Sequence, residues 1–221
     1  MFGFGGDDFI ICDFGSDTIH GGAGNDRIYG AHGFNYTKGT GSINVGTDYE
    51  TVVNGGAGND TVYGGSGDDT LMGGAGNDLL QATWGTDQLW GGAENDTLRG
   101  GDDNAILHGG MGADLLVGGE DTDWFVFDHV AQSRHGAQDR IEGFDRAVDL
   151  ILLNGIDADT GTTGDQAFRI QTGGWQAAGD LRLIEIDGDT FVYADVDGDA
   201  RADFSVRVNG VTGLDASDFL L

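Results

Sequence analysis

Apolar residues recur at every ninth position through the middle of the chain. Residues 55–126 divide without a gap into nonapeptides such as GGAGNDTVY and GGSGDDTLM, and the eighth place of every unit is large and apolar. These eighth-place residues are Val62, Leu71, Leu80, Leu89, Leu98, Leu107, Leu116 and Phe125. Most other places hold glycine or a polar residue. The pattern therefore predicts a core to which each unit contributes one side chain.

Each nonapeptide is interpreted as a six-residue turn followed by a three-residue strand. Glycine at places one, two and four permits positive φ and close approach of neighbouring backbones. Because side chains alternate along a strand, the eighth place faces inward and the seventh and ninth face outward. Two units then complete one coil, and units n and n+2 stack at roughly 4.8 Å. The chain is therefore predicted to be all-β, a right-handed parallel β-roll.

The sixth place of the unit is almost always aspartate. The aspartates of the main repeat are Asp60, Asp69, Asp78, Asp87, Asp96, Asp114 and Asp123, and Ala105 is the exception. Stacking brings these carboxylates close together, and like charges at that range repel strongly unless a cation lies between them. Carboxylates, amide oxygens and turn carbonyls are hard donors that suit Ca²⁺, whereas zinc would require a Cys or His cluster that the sequence lacks. We therefore predict a solenoid stabilised by several calcium ions.

The flanking segments differ in how well they keep this nine-residue pattern. Residues 1–29 contain three more units, with Asp8, Asp17 and Asp26 at the sixth place. Residues 30–54 break the count and are interpreted as two degenerate units around an inserted loop. That loop could bind something through Phe34, Tyr36 or Tyr49, although a bulged solvent loop is the preferred interpretation. Residues 55–126 form the main roll, and residues 127–221 a β-rich C-terminal cap.

The cap has ordinary strand patterns and less glycine. LRLIEI (181–186) and TFVYADV (190–196), joined through Asp187-Gly188, are typical of a hairpin, and DFSVRV (203–208) follows as a further strand. DRIEGFD (139–145) and VDLILLNGI (148–156) are predicted to be strand or short helix. The segment Asp195–Asp199 with Asp203 could be another calcium loop, but an aspartate-rich hairpin turn is favoured because the EF-hand spacing is incomplete.

Composition narrows the possible partners. The 221 residues carry a formal net charge of −28, which disfavours nucleic acid and anionic membranes and favours calcium. With 43 glycines and no proline, the metal-free chain is expected to be largely unfolded, and metal binding would then supply folding free energy. A disordered acidic linker is the alternative, but the regular apolar eighth place argues against it. The longest apolar run, Leu150–Leu153, is too short for a transmembrane segment.

The nonapeptide resembles the hemolysin-type, calcium-binding repeat of RTX proteins. The tail resembles the domain that follows such repeats in serralysin-type metalloproteases and mannuronan C5-epimerases. The matching residues are Trp124-Phe125-Val126-Phe127, Asp139-Arg140-Ile141, Gly143-Phe144-Asp145, Asp197-Gly198-Asp199 and Ala202-Asp203-Phe204. The resemblance covers the chain from residue 55 onward, and the order of these short motifs makes it specific.

The RTX resemblance implies a ligand set in which each ion lies between two stacked turns. Places one and three give carbonyls, place five sometimes gives a side chain, and Asp at place six comes from the neighbouring turn. Mapped onto this chain, Gly55, Ala57 and Asn59 pair with Asp78, and Gly64, Ser66 and Asp68 pair with Asp87. The full set of expected metal ligands is Asp8, Asp17, Asp26, Gly55, Ala57, Asn59, Asp60, Gly64, Ser66, Asp68, Asp69, Gly73, Ala75, Asn77, Asp78, Asp87, Asp96, Asp114 and Asp123.

The resemblance also implies a bacterial protein that is secreted to the extracellular space. In that family an ending such as Asp218-Phe219-Leu220-Leu221 belongs to an uncleaved signal read by the type I secretion machinery, and no N-terminal signal peptide is visible. We therefore expect a secreted calcium-binding module that folds outside the cell and forms part of a larger extracellular enzyme with an upstream catalytic domain. A stand-alone adhesive surface protein and a polysaccharide-binding module are the alternatives.

Catalysis by this chain alone finds little support in the sequence. It contains neither the H-E-x-x-H helix of zinc proteases nor a G-x-S-x-G elbow. One outward face is rich in large side chains, and such faces usually pack against something. We expect the tail or another domain to cover it, whereas a sugar-binding stripe is the alternative if Trp90 is exposed. The residues of this face are Thr70, Met72, Gln88, Trp90, Ile106, His108, Trp124 and Val126.

Overall fold

The chain folds into two β-sheets that face each other along a solenoid. The computed structural model describes residues 1–12, 15–30, 50–134, 136–164 and 166–221. Its strands are β1 Phe9–Ile11, β2 Thr18–Ala23, β3 Arg27–Tyr29, β4 Val52–Ala57, β5 Thr61–Tyr63, β6 Thr70–Ala75, β7 Leu79–Gln81, β8 Asp87–Ala93, β9 Thr97–Arg99, β10 Ala105–Met111, β11 Leu115–Val117, β12 Asp123–Val126, β13 Asp139–Glu142, β14 Leu150–Leu152, β15 Arg169–Gln171, β16 Asp180–Ile186, β17 Asp189–Asp195, β18 Phe204–Val208 and β19 Phe219–Leu220, and a short 3₁₀ helix spans Ala216–Asp218.

From β1 to β14, successive strands alternate between the two sheets. The eleven-stranded sheet has the order β1-β3-β5-β7-β9-β11-β13-β18-β17-β16-β15, and the eight-stranded sheet has the order β19-β14-β12-β10-β8-β6-β4-β2. Through the repeats every pairing is parallel, for example Leu71 with Leu89 and Leu80 with Leu98. This arrangement confirms the predicted all-β parallel β-roll.

The core is the column of eighth-place side chains. From Ile19 to Phe125 these residues are 0% exposed, and Ile10 in the first unit is 7% exposed. Each such strand residue lies between two outward neighbours, as the burial pattern of β7 shows for Leu80. One aliphatic side chain per nine residues is a thin core, so the burial of apolar surface alone stabilises this fold less than it does an ordinary sandwich.

Two details of the repeat differ from the prediction. From β2 to β10, the strands of the eight-stranded sheet are six or seven residues long, because they continue into the glycine pair of the next turn. Positive φ occurs at places two and four, as at Gly74 (φ 115°) and Gly76 (φ 124°). At the first place a Cβ would meet the backbone of the neighbouring rung, as predicted, and also the sixth-place carboxylate.

Residues 52–54, at the end of the irregular segment 30–54, belong to β4 of the eight-stranded sheet. β2 pairs directly with β4, with Ile19 opposite Val53. The unit 46–54 therefore supplies strand residues as predicted, whereas the degenerate unit predicted at 30–38 lies, apart from Gly30, outside the described residues. The sequence carries more residues here than one rung holds. The inserted loop with Phe34, Tyr36 and Tyr49 lies outside the described residues.

The C-terminal segment extends both sheets of the roll. β13 pairs with β11 and β14 pairs with β12, both in parallel. The predicted hairpin is confirmed, since β16 and β17 pair antiparallel through a turn in which Asp187 has φ 53° and Gly188 has φ 89°. β18 then returns to pair with β13, and β19 pairs with β14. In the described part of the chain, no helix has the length and hydrophobicity needed to cross a membrane.

Candidate calcium sites

The sixth-place aspartates bind each rung to the one before it. The Oδ1 atom of such an aspartate accepts a hydrogen bond from the backbone N–H of the sixth-place residue one rung earlier. Asp78 accepts from Asp60 N–H at 2.7 Å, and Asp87 accepts from Asp69 N–H at 2.8 Å. The side chains thereby form two columns at opposite edges of the roll. The first column is Asp8, Asp26, Asp60, Asp78, Asp96, Asp114 and Asp139, and the second is Thr51, Asp69, Asp87, Ala105, Asp123 and Asp149.

The second oxygen of most of these carboxylates is buried and has no partner. Within the described residues, the Oδ2 atoms without a hydrogen bond belong to Asp26, Asp60, Asp69, Asp78, Asp87, Asp96, Asp114 and Asp139. Their residues are at most 3% exposed. Burying an unpaired carboxylate oxygen is costly unless a cation coordinates it. A row of unsatisfied hard oxygens, with turn carbonyls beside them, is a donor set that fits Ca²⁺.

Burial shifts the pKa values of these carboxyls strongly upward. Burial raises the pKa of Asp96 to about 8, and the charges of Asp114 and Asp78 add to that shift. Burial raises the pKa of Asp87 to about 8 and that of Asp139 to about 9. The protein environment alone thus disfavours the charged form at neutral pH. A divalent cation reverses that preference because it stabilises the carboxylate directly.

First-place glycines make room for the carboxylates. A Cβ built on Gly73 would collide with Oδ2 of Asp78, and one built on Gly91 would collide with Oδ2 of Asp96. The same relation holds between Gly55 and Asp60. Because the collision is with a buried group and not with a flexible side chain in solvent, glycine at this place is a requirement of the site.

The structure brings together the residue pairs that the sequence predicted. Asp78 lies against the turn that contains Gly55, Ala57 and Asn59, since its Oδ1 accepts from Asp60 at the end of that turn. In the same way, Asp87 reaches the turn 64–69. The third-place carbonyls also bridge rungs: Gly58 N–H donates to the carbonyl of Ala75 at 2.8 Å.

Fifth-place side chains form a third interaction between the rungs. Oδ1 of Asn59 accepts from Asn77 N–H at 2.8 Å, and Oδ1 of Asp68 accepts from Thr86 N–H at 2.7 Å. Asp8 and Asp17 at the N-terminal end of the roll are only half-buried. Oδ2 of Asp8 accepts from Phe4 N–H at 3.3 Å, so this oxygen has a partner that its counterparts lack.

Sequence reasoning missed Asp139 and Asp149, which extend the two columns into the cap. Asp139 Oδ1 accepts from Asp114 N–H and Asp149 Oδ1 from Asp123 N–H, both at 2.8 Å. The missed signal is an aspartate two places before a buried apolar residue, as in Asp139-Arg140-Ile141. The second column is interrupted at Ala105, where the N–H of Asp87 donates instead to the carbonyl of Asn104 at 3.0 Å.

The acidic segment after β17 is a hairpin connection to β18, as predicted. Asp195 accepts from the N–H groups of Gly198 and Ala200, at 2.7 and 3.0 Å. One carboxylate oxygen each of Asp195, Asp197 and Asp203 lies within 4.8 Å of the others. The turn is therefore held by its own hydrogen bonds, and its oxygens are of the kind that calcium accepts.

The fold and these columns define a calcium-binding β-roll. Comparison with protein families agrees: residues 2–36, 45–80 and 81–116 match the RTX calcium-binding nonapeptide repeat, and residues 101–221 match the Peptidase M10 serralysin C-terminal domain. The chain belongs to the serralysin C-terminal family and carries RTX repeats, so calcium is its cofactor. Domains of these two kinds are typical of secreted bacterial proteins and are typically non-catalytic.

Among solved structures, the chain is similar to the solution structure of the AlgE6R3 subunit from the Azotobacter vinelandii mannuronan C5-epimerase. The two share 24% identity over 81% of this chain and 82% of that one, with a TM-score of 0.35. No curated protein matches the sequence. The family assignment therefore rests on the two family models.

Proposed function

We propose that this chain is the calcium-dependent folding and export module of a larger extracellular enzyme. The observation that carries the proposal is the row of buried, unpartnered Oδ2 atoms along the two aspartate columns. Because these groups oppose folding unless a cation coordinates them, calcium would act as a switch between an unfolded and a folded chain. Calcium outside cells is about millimolar, which suits weak extracellular sites.

In this proposal the metal ligands are those expected from the repeat, together with the two aspartates of the cap. Asp78 and Asp87 would each share an ion with the turn one rung earlier. Their Oδ2 atoms are the free oxygens, while Oδ1 holds the backbone. Asp139 and Asp149 would close the two columns. Bound calcium neutralises the carboxylates, and the residues of the chain position the oxygens around it.

The proposed export signal is the last four residues, Asp218 to Leu221. In the folded chain Phe219 is 7% exposed, and the carbonyl of Leu220 accepts from Leu153 N–H at 2.9 Å. Arg146 donates to both carboxylate oxygens of Asp218 at 3.2 Å. A signal docked in this way is accessible to secretion machinery only before folding. This order fits a chain that stays unfolded where calcium is scarce.

Calcium-dependent folding is tested by far-UV circular dichroism of the full chain. We expect strand signal in about 1 mM Ca²⁺ and its loss in excess chelator. The variant Asp96→Asn should require more calcium for the same signal. Glu120→Gln serves as a matched control, because it also removes one acidic charge but lies on the surface. Full β structure in chelator would refute the proposal.

The role in export is tested separately, by deleting residues 218–221 and measuring secretion from a bacterium with a type I system. Retained secretion of the truncated chain would contradict this part. Sedimentation distinguishes the adhesive alternative from the folding module, because an adhesive protein should self-associate as the calcium concentration is raised. A protein that stays monomeric in about 1 mM Ca²⁺ favours the folding module.

A further inference from the structure

The outer surface of the eight-stranded sheet carries no charged side chain through the repeats. In β2, β4, β6, β8, β10 and β12 the outward side chains come from the seventh and ninth places of each unit. None of these twelve positions, all described by the structure, holds Asp, Glu, Lys or Arg. We call this surface the uncharged face; its residues are Thr18, His20, Val52, Asn54, Thr70, Met72, Gln88, Trp90, Ile106, His108, Trp124 and Val126.

The opposite sheet shows that this neutrality is specific to one side. Its outward positions include Arg27, Arg99 and Arg140. In a chain with a net charge of −28, an uncharged strip of six strands stands apart from the rest of the surface. Charged groups repel or attract ions over distances comparable to the Debye length, so a neutral strip favours neutral partners.

Two tryptophans on the uncharged face remain accessible. Trp90 is 40% and Trp124 is 41% exposed. The tail approaches the face near His108, whose Nδ1 lies 3.6 Å from Oδ2 of Asp128. Val126 of this face is buried, but the described tail leaves both rings accessible, although the tail or another domain was expected to cover the face.

One of the two tryptophans, Trp90, is stacked on a neighbouring ring. Trp90 and His108 lie opposite each other on β8 and β10, and their rings stack at 3.6 Å with an interplanar angle of 6°. Burial lowers the pKa of His108, which keeps its imidazole neutral at neutral pH even though Asp128 acts in the opposite direction. The stack fixes the position of the indole before any ligand arrives, so little entropy is lost there on binding.

A groove lies on this face beside Trp124. It has a volume of about 340 Å³ and is lined by Thr86, Asn104, Ala105, Ile106, Thr122 and Trp124. Ile106 pairs with Trp124 on the neighbouring strand, so the smaller side chain forms a low floor next to the large ring. The other lining groups are the hydroxyls of Thr86 and Thr122, the amide of Asn104 and the methyl group of Ala105. An aromatic wall with a few uncharged polar groups is the composition of small-ligand sites.

We propose that the groove beside Trp124 binds an uncharged polysaccharide. The C–H faces of a pyranose ring pack on an indole, and its hydroxyls exchange hydrogen bonds with Thr, Asn and Gln side chains. An anionic polymer would be repelled by the acidic turns on both sides of the face. A basic protein segment would find no carboxylate on the face itself. Neutral sugars match both the apolar ring and the uncharged rim.

The test uses the full chain in excess calcium and affinity electrophoresis through gels that contain one polysaccharide each. The probes are hydroxyethyl cellulose, xylan, galactomannan and laminarin as neutral polymers, and alginate as an anionic one. We expect at least one neutral polymer to retard the protein and alginate not to. Retardation by none of the neutral polymers, or stronger retardation by alginate, would overturn the proposal.

Variants locate the binding to the groove. Trp124→Ala should weaken binding about tenfold, as truncation of a central aromatic contact typically does. Ile106→Phe, which fills the floor and leaves Trp124 in place, should weaken it as well. The matched control is Trp84→Ala, since Trp84 is 39% exposed but lies on a turn, where its Nε1 donates to Asp102 at 3.1 Å.

Circular dichroism in calcium establishes that each variant is folded, which separates loss of binding from loss of the roll. Equal binding by wild type, Trp124→Ala and Ile106→Phe would refute the assignment of the groove. Sedimentation gives the last outcome: a dimer in calcium that Trp124→Ala dissociates would show that the face packs against a second copy of the chain and would overturn the proposal.

Discussion

The carboxylate of Asp96 accepts a hydrogen bond of 2.8 Å from the backbone N–H of Asp78, one full coil earlier in the chain. Its other oxygen is buried and has no partner among the described residues. This side chain therefore ties adjacent rungs together through Oδ1 and leaves Oδ2 free, and we propose that this free oxygen binds calcium. In that proposal the same residue serves both the fold and the metal site.

Replacing Asp96 with Asn tests the second of these roles. The amide oxygen can still accept from Asp78, but the charge that attracts calcium is gone. We expect about tenfold more calcium to be needed for half-maximal folding, which corresponds to about 1.4 kcal/mol. Circular dichroism during calcium titration measures this midpoint. The same midpoint for Asp96→Asn and wild type would show that Asp96 holds the backbone and no metal.

Ala105→Asp should complete the second column. With the new carboxylate in place of the methyl group, we expect about 1 kcal/mol more stability in calcium, or about 2–4 °C in melting temperature for a chain of this size. As calcium is lowered, this gain should shrink and then reverse, because a further charge is then buried without a counterion. Thermal melts across a series of calcium concentrations measure the effect. Ala105→Asn is the control, since it adds an acceptor without charge and should show no such reversal.

Gly73→Ala tests the space requirement at the first place. The methyl group would collide with Oδ2 of Asp78, so the carboxylate or the turn must move. We expect a loss of about 1–3 kcal/mol in calcium, measured by denaturant unfolding. The matched control is Gly174→Ala, where nothing lies within 4 Å of the added carbon. Equal stability of the two variants would contradict the interpretation.

The raised carboxyl pKa values predict opposite pH dependences with and without calcium. Asp78 and Asp96 have pKa values of about 7 and about 8 in the folded chain, raised by burial from the ordinary value of 3.8. In chelator, the stability these groups contribute is fully present below about pH 4 and is lost as the pH rises through about 7 to 8. The strand signal that remains in chelator, measured by circular dichroism, should therefore be weaker at about pH 8 than at about pH 5.

Calcium-induced folding should depend on pH in the opposite sense. The ion binds the deprotonated carboxylate, and the unfolded metal-free chain gains carboxyl protons near the ordinary pKa of 3.8, so folding by calcium should weaken as the pH falls below about 5. Near pH 7 the unfolded chain is already ionised, so binding should release few protons, which calorimetry in buffers of different ionisation enthalpy measures. Release of about one proton per calcium ion near pH 7 would show that the sites are folded and protonated before the ion binds, contrary to the proposal.

The nine-residue pattern was sufficient to predict the roll and its core, whereas the pairing of Asp78 and Asp87 with earlier turns was implied by the RTX resemblance. Asp139 and Asp149 were missed because the spacing between repeats changes in the cap, where Asp114 to Asp139 spans 25 residues and Asp123 to Asp149 spans 26. The nine-residue count no longer holds there, although the local Asp-x-Ile pattern remains. The direct pairing of β2 with β4 was also beyond the sequence, because the irregular count at 30–54 does not show which strands adjoin.

The role of the first-place glycine was predicted only in part: a Cβ there would meet the backbone of the neighbouring rung, as expected, but the collision with the sixth-place carboxylate was not foreseen. Sequence patterns show that glycine recurs, but not whether conformation or space demands it. At Gly73 the answer depends on where the Asp78 carboxylate lies, which is a property of the folded turn. The accessible rings of Trp90 and Trp124 were likewise undecided, since their exposure depends on the path of the tail.

The hydrogen bond from Asp26 N–H to Asp60 spans 34 residues, whereas the standard step is 18, so 16 additional residues (34 − 18) enter between two adjoining coils. On either side the register is undisturbed, with Ile28 opposite Val62. The roll thus already accommodates additional residues at one junction between coils, while the pairing of the strands on either side is unchanged. For protein engineering, this marks the stretch between Tyr29 and Glu50 as the place to graft a peptide for display, with calcium to switch the display on.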